Sequence, residues 1–247
     1  MAKSKPASVQ TQFHDSDALC RHVSQLGAGT CLLSFSCGKD STAAWLQLRH
    51  HFNRIVPYYL YRVPGLQFVE DRLRYFEDFF GSRIIRLPHP SLYRMLNNLV
   101  FQPPEHRPII QELNLPLFSY DEINSIIRED SGLPANTFCA SGVRMCDSAA
   151  RWANVKRQGP INHSRLAFYP VFDWRKDKLI QELTDSGVKM PIDYKLFGVS
   201  FDGINEQFLG PIREHYPADY QRILEFFPLA EAELARAAFR EGRRYAA

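Results

Sequence analysis

A short apolar run, Thr30-Cys31-Leu32-Leu33-Ser34-Phe35, constrains the chain more than any other feature, because it passes through a polar loop straight into a helix-forming stretch. Gly27-Ala28-Gly29 precedes it. A run of that length without polar alternation, bounded by glycines, fits a strand buried on both faces, as in parallel sheets. Ser41 to Phe52 then carries Ala44, Leu46 and Leu48 among good helix formers. The pattern repeats. Arg54 to Val63 fits a second strand, and Phe68 to Phe80 a helix with Val69, Leu73, Phe76 and Phe80 on one face. Arg83 to Leu87 fits a third strand, closed by Pro88-His89-Pro90. Alternating strands and helices predict an α/β, Rossmann-like parallel twisted sheet flanked by helices, with ligands bound beyond the carboxyl ends of the strands.

Asp15 to Leu26, with Ala18, Leu19, Val23 and Leu26 at helical spacing, predicts a helix ahead of the first strand. Phe101 to Pro116 is proline-rich and aperiodic, which predicts an irregular excursion. Asp121 to Glu129 predicts a helix, Leu166 to Val171 a strand, Lys176 to Thr184 a helix ending at Gly187, and Tyr216 to Arg240 one or two helices. The length, 247 residues, suits one domain with a small appendage. The expected division is a flexible lead over 1–14, a nucleotide-binding domain over 15–200 and a helical C-terminal portion over 201–247. No run of about 18 apolar residues exists, so no membrane span is expected. The opening residues lack the apolar stretch of a secretory signal. Five scattered cysteines, an odd number, favour a reducing, cytoplasmic setting over a disulfide framework. A formal charge of +3 suits an anionic small molecule as well as a nucleic acid and selects neither.

The chemistry is carried by Ser34-Phe35-Ser36-Cys37-Gly38-Lys39-Asp40-Ser41, where the first strand meets its helix. Such a junction points unpaired backbone N–H groups and the positive end of a helix dipole at one spot. Ser36 and Ser41 add hydroxyls, Gly38 permits close backbone approach and Lys39 adds a mobile charge, which together suit a phosphate or pyrophosphate. The loop is not a Walker A motif, since Leu33 stands where that motif needs its first glycine. The plainer alternative is a polar turn in which Asp40 or Ser41 caps the helix.

Ser36-x-Gly38-Lys39-Asp40-Ser41 resembles the S-G-G-K-D-S signature of the PP-loop ATP pyrophosphatases, with Cys37 in place of the first glycine of the pair. A second set sharpens the resemblance. Tyr169-Pro170-Val171-Phe172-Asp173-Trp174, Leu179, Leu183, Pro191-Ile192-Asp193-Tyr194 and Gly198 are similar to a pattern of the PAPS reductases. Arg144-x-Cys146, followed by Arg151 where relatives have lysine, resembles an element shared with DNA phosphorothioation enzymes. The nearest group is the bacterial and phage PAPS reductase-like one that includes the immunoglobulin-binding regulator A type.

The resemblance implies a substrate that is ATP or phosphoadenylyl sulfate, held by Ser34, Ser36, Cys37, Gly38, Lys39, Asp40, Ser41 and Arg151. Lys39, Asp40, Arg144 and Cys146 would carry the chemistry, with Mg²⁺ on the phosphates and Asp40 as its candidate ligand. The reaction implied is adenylyl or sulfur transfer, with AMP and pyrophosphate released if ATP is used. The usual PAPS reductase route is placed in doubt, because no cysteine follows Cys146. The rival reading is a non-catalytic nucleotide-binding regulator acting with a protein partner. Cys37, Cys139 and Cys146 are the candidates for an iron–sulfur cluster, for which no C-x-x-C spacing speaks. Cys37 otherwise suits a small buried residue and Cys139 and Cys146 ordinary partly buried thiols, while either of the last two suits a sulfur carrier or nucleophile near Arg144. His89 suits either the ligand edge of the sheet or a turn. Arg151, Trp152, Lys156, Arg157 and Arg165 suit either a nucleic-acid patch, which would make the chain a nucleic-acid-modifying enzyme, or a solvated helix face.

Overall fold

A computed structural model describes residues 13–190 and 196–245. Helix α1 (Ser16–Leu26) starts where Asp15 accepts a hydrogen bond from the Ala18 N–H at 2.7 Å, and it buries Leu19, Cys20 and Val23. Strand β1 (Thr30–Ser34) follows, then α2 (Lys39–Arg49), whose residues from Ser41 to Leu48 are all buried. A helix buried on every side has to lie inside the fold, which fixes both ends of the intervening loop. Next come β2 (Arg54–Tyr61), α3 (Gln67–Phe80), β3 (Ile85–Pro88) and α4 (Pro90–Asn97).

Further along are α5 (Arg107–Leu113), α6 (Tyr120–Asp130), β4 (Cys139–Ser141) and α7 (Ala149–Gln158). The hairpin β5 (Ile161–Asn162) and β6 (Ala167–Phe168) precedes α8 (Lys176–Asp185). The described chain ends with α9 (Glu206–His215), α10 (Pro217–Phe226) and α11 (Glu231–Tyr245).

The strands form one mostly parallel sheet in the order β3-β2-β1-β4-β6-β5: β2–β3, β1–β4 and β4–β6 pair parallel, and β5–β6 form an antiparallel hairpin. This is the expected α/β Rossmann-like class. Chain order reverses between β1 and β4, which pair Leu32 with Cys139, Leu33 with Ala140 and Ser34 with Ser141. Such a reversal is where open α/β sheets place their ligands.

Several expectations need correction. Cys139–Ser141 pairs directly with β1, yet three residues are too few for any periodicity to register. The strand expected over Leu166 to Val171 shrinks to Ala167–Phe168, since Leu166 adopts φ +49° to close the hairpin. Within the excursion expected over Phe101 to Pro116, α5 forms with Pro108 in its first turn, where a missing N–H costs nothing. The helix Glu206–His215 has no counterpart among the expectations, while Tyr216 to Arg240 forms two helices, as the expected one or two allow. The Pro191 to Tyr194 part of the second motif lies outside the described residues, as do residues 1–12 of the expected lead.

The residues group into two compact units. One takes the chain up to Phe35, then Lys39–Pro57 and Asn124–Val188; the other takes Ser36–Gly38, Tyr58–Ile123 and the chain from Lys189 on. In the first, α8 packs on α2, and Phe52 and Phe138 meet Phe168 over the sheet. In the second, Phe68, Phe197, Phe201 and Phe208 form an aromatic cluster. There the buried Asp219 carboxylate accepts from the N–H groups of Gln67 (2.6 Å) and Phe68 (2.9 Å). A side chain about 150 residues away thus caps α3, whose own preceding residue, Leu66, has no group to do so.

Candidate functional site

The signature loop connects the end of β1 to the start of α2. The helix begins at Lys39, so Asp40 and Ser41 sit within its first turn and not ahead of it. That corrects the capping alternative: neither residue stands at the N-cap.

In the first unit, Gly142 follows β4 and lies against this turn. A Cβ on Gly142 would fall 2.5 Å from the Asp40 carbonyl carbon and 2.7 Å from the Ser41 nitrogen. Backbone packs on backbone there, which holds the α2 N-terminus beside the end of β4. Lys39 Nζ lies 2.6 Å from Asp40 Oδ2, and Arg144 Nε lies 2.9 Å from Asp40 Oδ1. The second contact is an ion pair whose N–H is not aligned for a hydrogen bond. Arg144 also pairs with Asp147 at 2.7 Å, and Arg151 with the other Asp147 oxygen at 2.6 Å. The result is a ladder of alternating charge, Lys39–Asp40–Arg144–Asp147–Arg151. Exposure rises towards its two ends: the Arg144 side chain is 6% exposed, Lys39 40% and Arg151 49%.

A buried guanidinium is stable only when its charge and donors are met. Besides its two carboxylates, Arg144 donates to the Trp174 carbonyl at 3.4 Å. The same carbonyl accepts from the Cys146 thiol at 3.3 Å, and the Met145 N–H donates to the Phe172 carbonyl at 2.8 Å. The Phe172-Asp173-Trp174 turn and the Arg144-x-Cys146 element are therefore one construction. Trp174 is itself buried, with Lys178 Nζ 4.7 Å over its ring, and Ser16 donates to the Asp173 carboxylate.

The second unit holds Ser36, Cys37 and Gly38. Cys37 has φ +59° and is buried. That backbone region suits glycine, so a side chain here carries strain. Burial pushes its thiol up to about 12, against the pull of Arg72 and Arg86, while Glu70 adds to the rise. At neutral pH it is a protonated, apolar group and a poor nucleophile. A Cβ on Gly38 would meet Ser200 Oγ at 2.7 Å and Ser36 Oγ at 3.3 Å. Ser200 is thus a site residue that sequence reasoning missed; the only pointer to it was Gly198 of the second motif, two residues earlier. Gly142 was missed as well, since a single glycine after a three-residue strand has no pattern of its own.

His89 caps α4. Its Nδ1 accepts from the Ser91 N–H at 3.0 Å and faces the Ser91 hydroxyl at 2.6 Å, while Nε2 faces the Tyr120 hydroxyl at 3.1 Å. Burial lowers its pKa to about 4, helped by Arg62 and Arg94 and opposed by Asp202. Cys139 is buried within β4 and Cys146 is exposed. Among the described residues, no three His, Cys, Asp or Glu side chains converge as a metal site. No helix among them is long and apolar enough to cross a membrane.

No protein-family model matches the chain, and no curated protein matches it. Among solved structures it is similar to the predicted subunit of tRNA methyltransferase from Methanocaldococcus jannaschii DSM. Identity is 16%, with 79% of this chain and 87% of that chain covered and a TM-score of 0.33. A likeness that loose bears on no question of function.

Proposed function

We propose that the chain is a PP-loop, PAPS reductase-like enzyme that holds the phosphates of an adenine nucleotide, ATP or phosphoadenylyl sulfate, at the β1–α2 loop and transfers an adenylyl group or sulfur. One observation carries the reading: the signature loop emerges from β1 where the strand order reverses, with Lys39 at the head of a buried helix. The adenine itself rests on the motif resemblance.

In the ATP reaction, a nucleophilic oxygen of the acceptor attacks the α-phosphorus. The bond from that phosphorus to the bridging oxygen breaks, and pyrophosphate leaves with the electron pair. A second nucleophile then displaces AMP from the activated acceptor. The chain's part is electrostatic. The N–H groups of the first α2 turn face the developing negative charge, and Lys39, whose side chain is 40% exposed, turns from Asp40 to the phosphates. Arg144 then holds Asp40 in place once Lys39 has left it. Asp40 is also the carboxylate that would hold Mg²⁺, whose contribution is to neutralise the phosphate oxygens. Lys39 occupies its Oδ2, so the residue fits the ion once the lysine has moved. Arg151, at the open end of the ladder, is placed to meet an anion on the acceptor side.

Isotope exchange between pyrophosphate and ATP, run with candidate acceptors, tests the reaction. Exchange that Lys39→Ala lowers at least a hundredfold is expected. Nucleotide binding with no exchange, and with no sulfite release from phosphoadenylyl sulfate when a dithiol supplies the two electrons, would replace the enzyme with a regulatory nucleotide-binding protein.

A further inference from the structure

We infer that α7 and the β5–β6 hairpin form a docking surface for single-stranded nucleic acid, which would be the acceptor of the nucleotide chemistry. The acceptor role rests on the function proposed above; the surface itself does not.

The argument begins with charge. From Ser148 to Phe172 the chain has Arg151, Lys156, Arg157 and Arg165, together with His163, and not one Asp or Glu. The formal total is +3, so these residues carry all of the positive excess and the rest of the chain nets −1. All five basic side chains are exposed. Helix α7 buries only Val155, and its large exposed apolar residue is Trp152, 54% accessible, whereas Trp45 and Trp174 are each 2% exposed. Lys156 Nζ sits 6.0 Å over the Trp152 ring.

An exposed indole with an ammonium over its ring, on a stretch without acidic residues, matches one partner chemistry better than others. Unpaired bases stack on an aromatic face while the phosphodiester backbone meets Lys and Arg, and each base has a face to offer. A duplex keeps its bases stacked inside and would leave the indole unused. An acidic peptide would satisfy the cations alone. A lipid surface calls for a broad apolar face, yet the other exposed apolar residues of α7 are Ala149, Ala150 and Ala153. The position also fits. Ser148 caps α7, and Arg151 in its first turn reaches Asp147, so a strand lying on this helix lies at the outer end of the ladder that leads to Lys39.

The test uses the full chain and short single-stranded RNA and DNA oligonucleotides. Because the other two tryptophans are buried, quenching of intrinsic fluorescence reports on Trp152. Both oligonucleotides, or one of them, are expected to quench it. Trp152→Ala should weaken binding, read by anisotropy of labelled oligonucleotide, about tenfold, and Trp152→Phe should restore most of it. The pair Lys156→Glu and Arg157→Glu should weaken binding at least tenfold and flatten the log–log salt slope by about 1.4. Absence of binding to either oligonucleotide would overturn the inference. So would binding that these variants leave unchanged, or poly-glutamate bound as tightly with no sensitivity to Trp152. Calorimetry with ATP on the same samples separates the two readings. Oligonucleotide quenching without ATP binding defeats the loop and spares the surface; ATP binding without quenching does the reverse.

Discussion

Gly142 and Cys37 constrain the loop for opposite reasons. Gly142 has no room: any Cβ would drive into the Asp40 carbonyl, a backbone group that cannot rotate away. Gly142→Ala is therefore expected to cost about 2 kcal/mol of stability in urea denaturation, because it must push α2 off β4. An unchanged midpoint would show that the contact is slack. Cys37 places a buried side chain on the wrong backbone, a left-handed conformation with φ +59°. Neither fact was legible. The departure of Cys37 from the glycine pair was visible in the residues, but its positive φ and the burial that keeps its thiol protonated, against the pull of Arg72 and Arg86, emerge only in the fold. Gly142 looked like any glycine.

At the scale of elements, legibility followed length. The segments α1, α2, α3, α6 and α8 were readable because each repeats its apolar residues over several turns, and α2 starts within two residues of expectation. Strands β4 and β5 were not, since two or three residues leave no alternation to detect, while β6 was foreseen but longer than it is. The cap of α4 shows chemistry that only packing reveals. His89 must stay neutral for Nδ1 to accept the Ser91 N–H, and burial holds its pKa down to about 4. In the unfolded chain it returns to near 6.5, so between those values the unfolded state binds more protons. Stability is then fully present above about pH 6.5 and declines as pH falls towards 4. With its partial exposure allowed for, the loss should be about 1–2 kcal/mol, and His89→Asn, which can still cap the helix, should remove that pH dependence. A wild-type and variant pair with parallel stability–pH curves would contradict it.

For the whole molecule, the six-stranded order places the end of β1 next to the reversal with β4, and the chain then builds outward from Lys39 along the charge ladder to Arg151 on α7. The motifs that stood far apart in the residues, around 36–41, 144–151 and 169–174, are joined by few bonds. The Trp174 carbonyl holds Arg144 and Cys146, and Arg144 holds Asp40. The family resemblance indicated that these segments belong together; it had no way to say that Arg144 would be buried between two carboxylates. Calorimetric titration with ATP and with phosphoadenylyl sulfate, wild type beside Lys39→Ala, tests the phosphate-binding loop most directly. The account predicts binding of at least one of the two, weakened ten- to a hundredfold by the substitution, as expected for the loss of a charged hydrogen bond to phosphate. Failure to bind either nucleotide, or affinity that Lys39→Ala leaves intact, would contradict it.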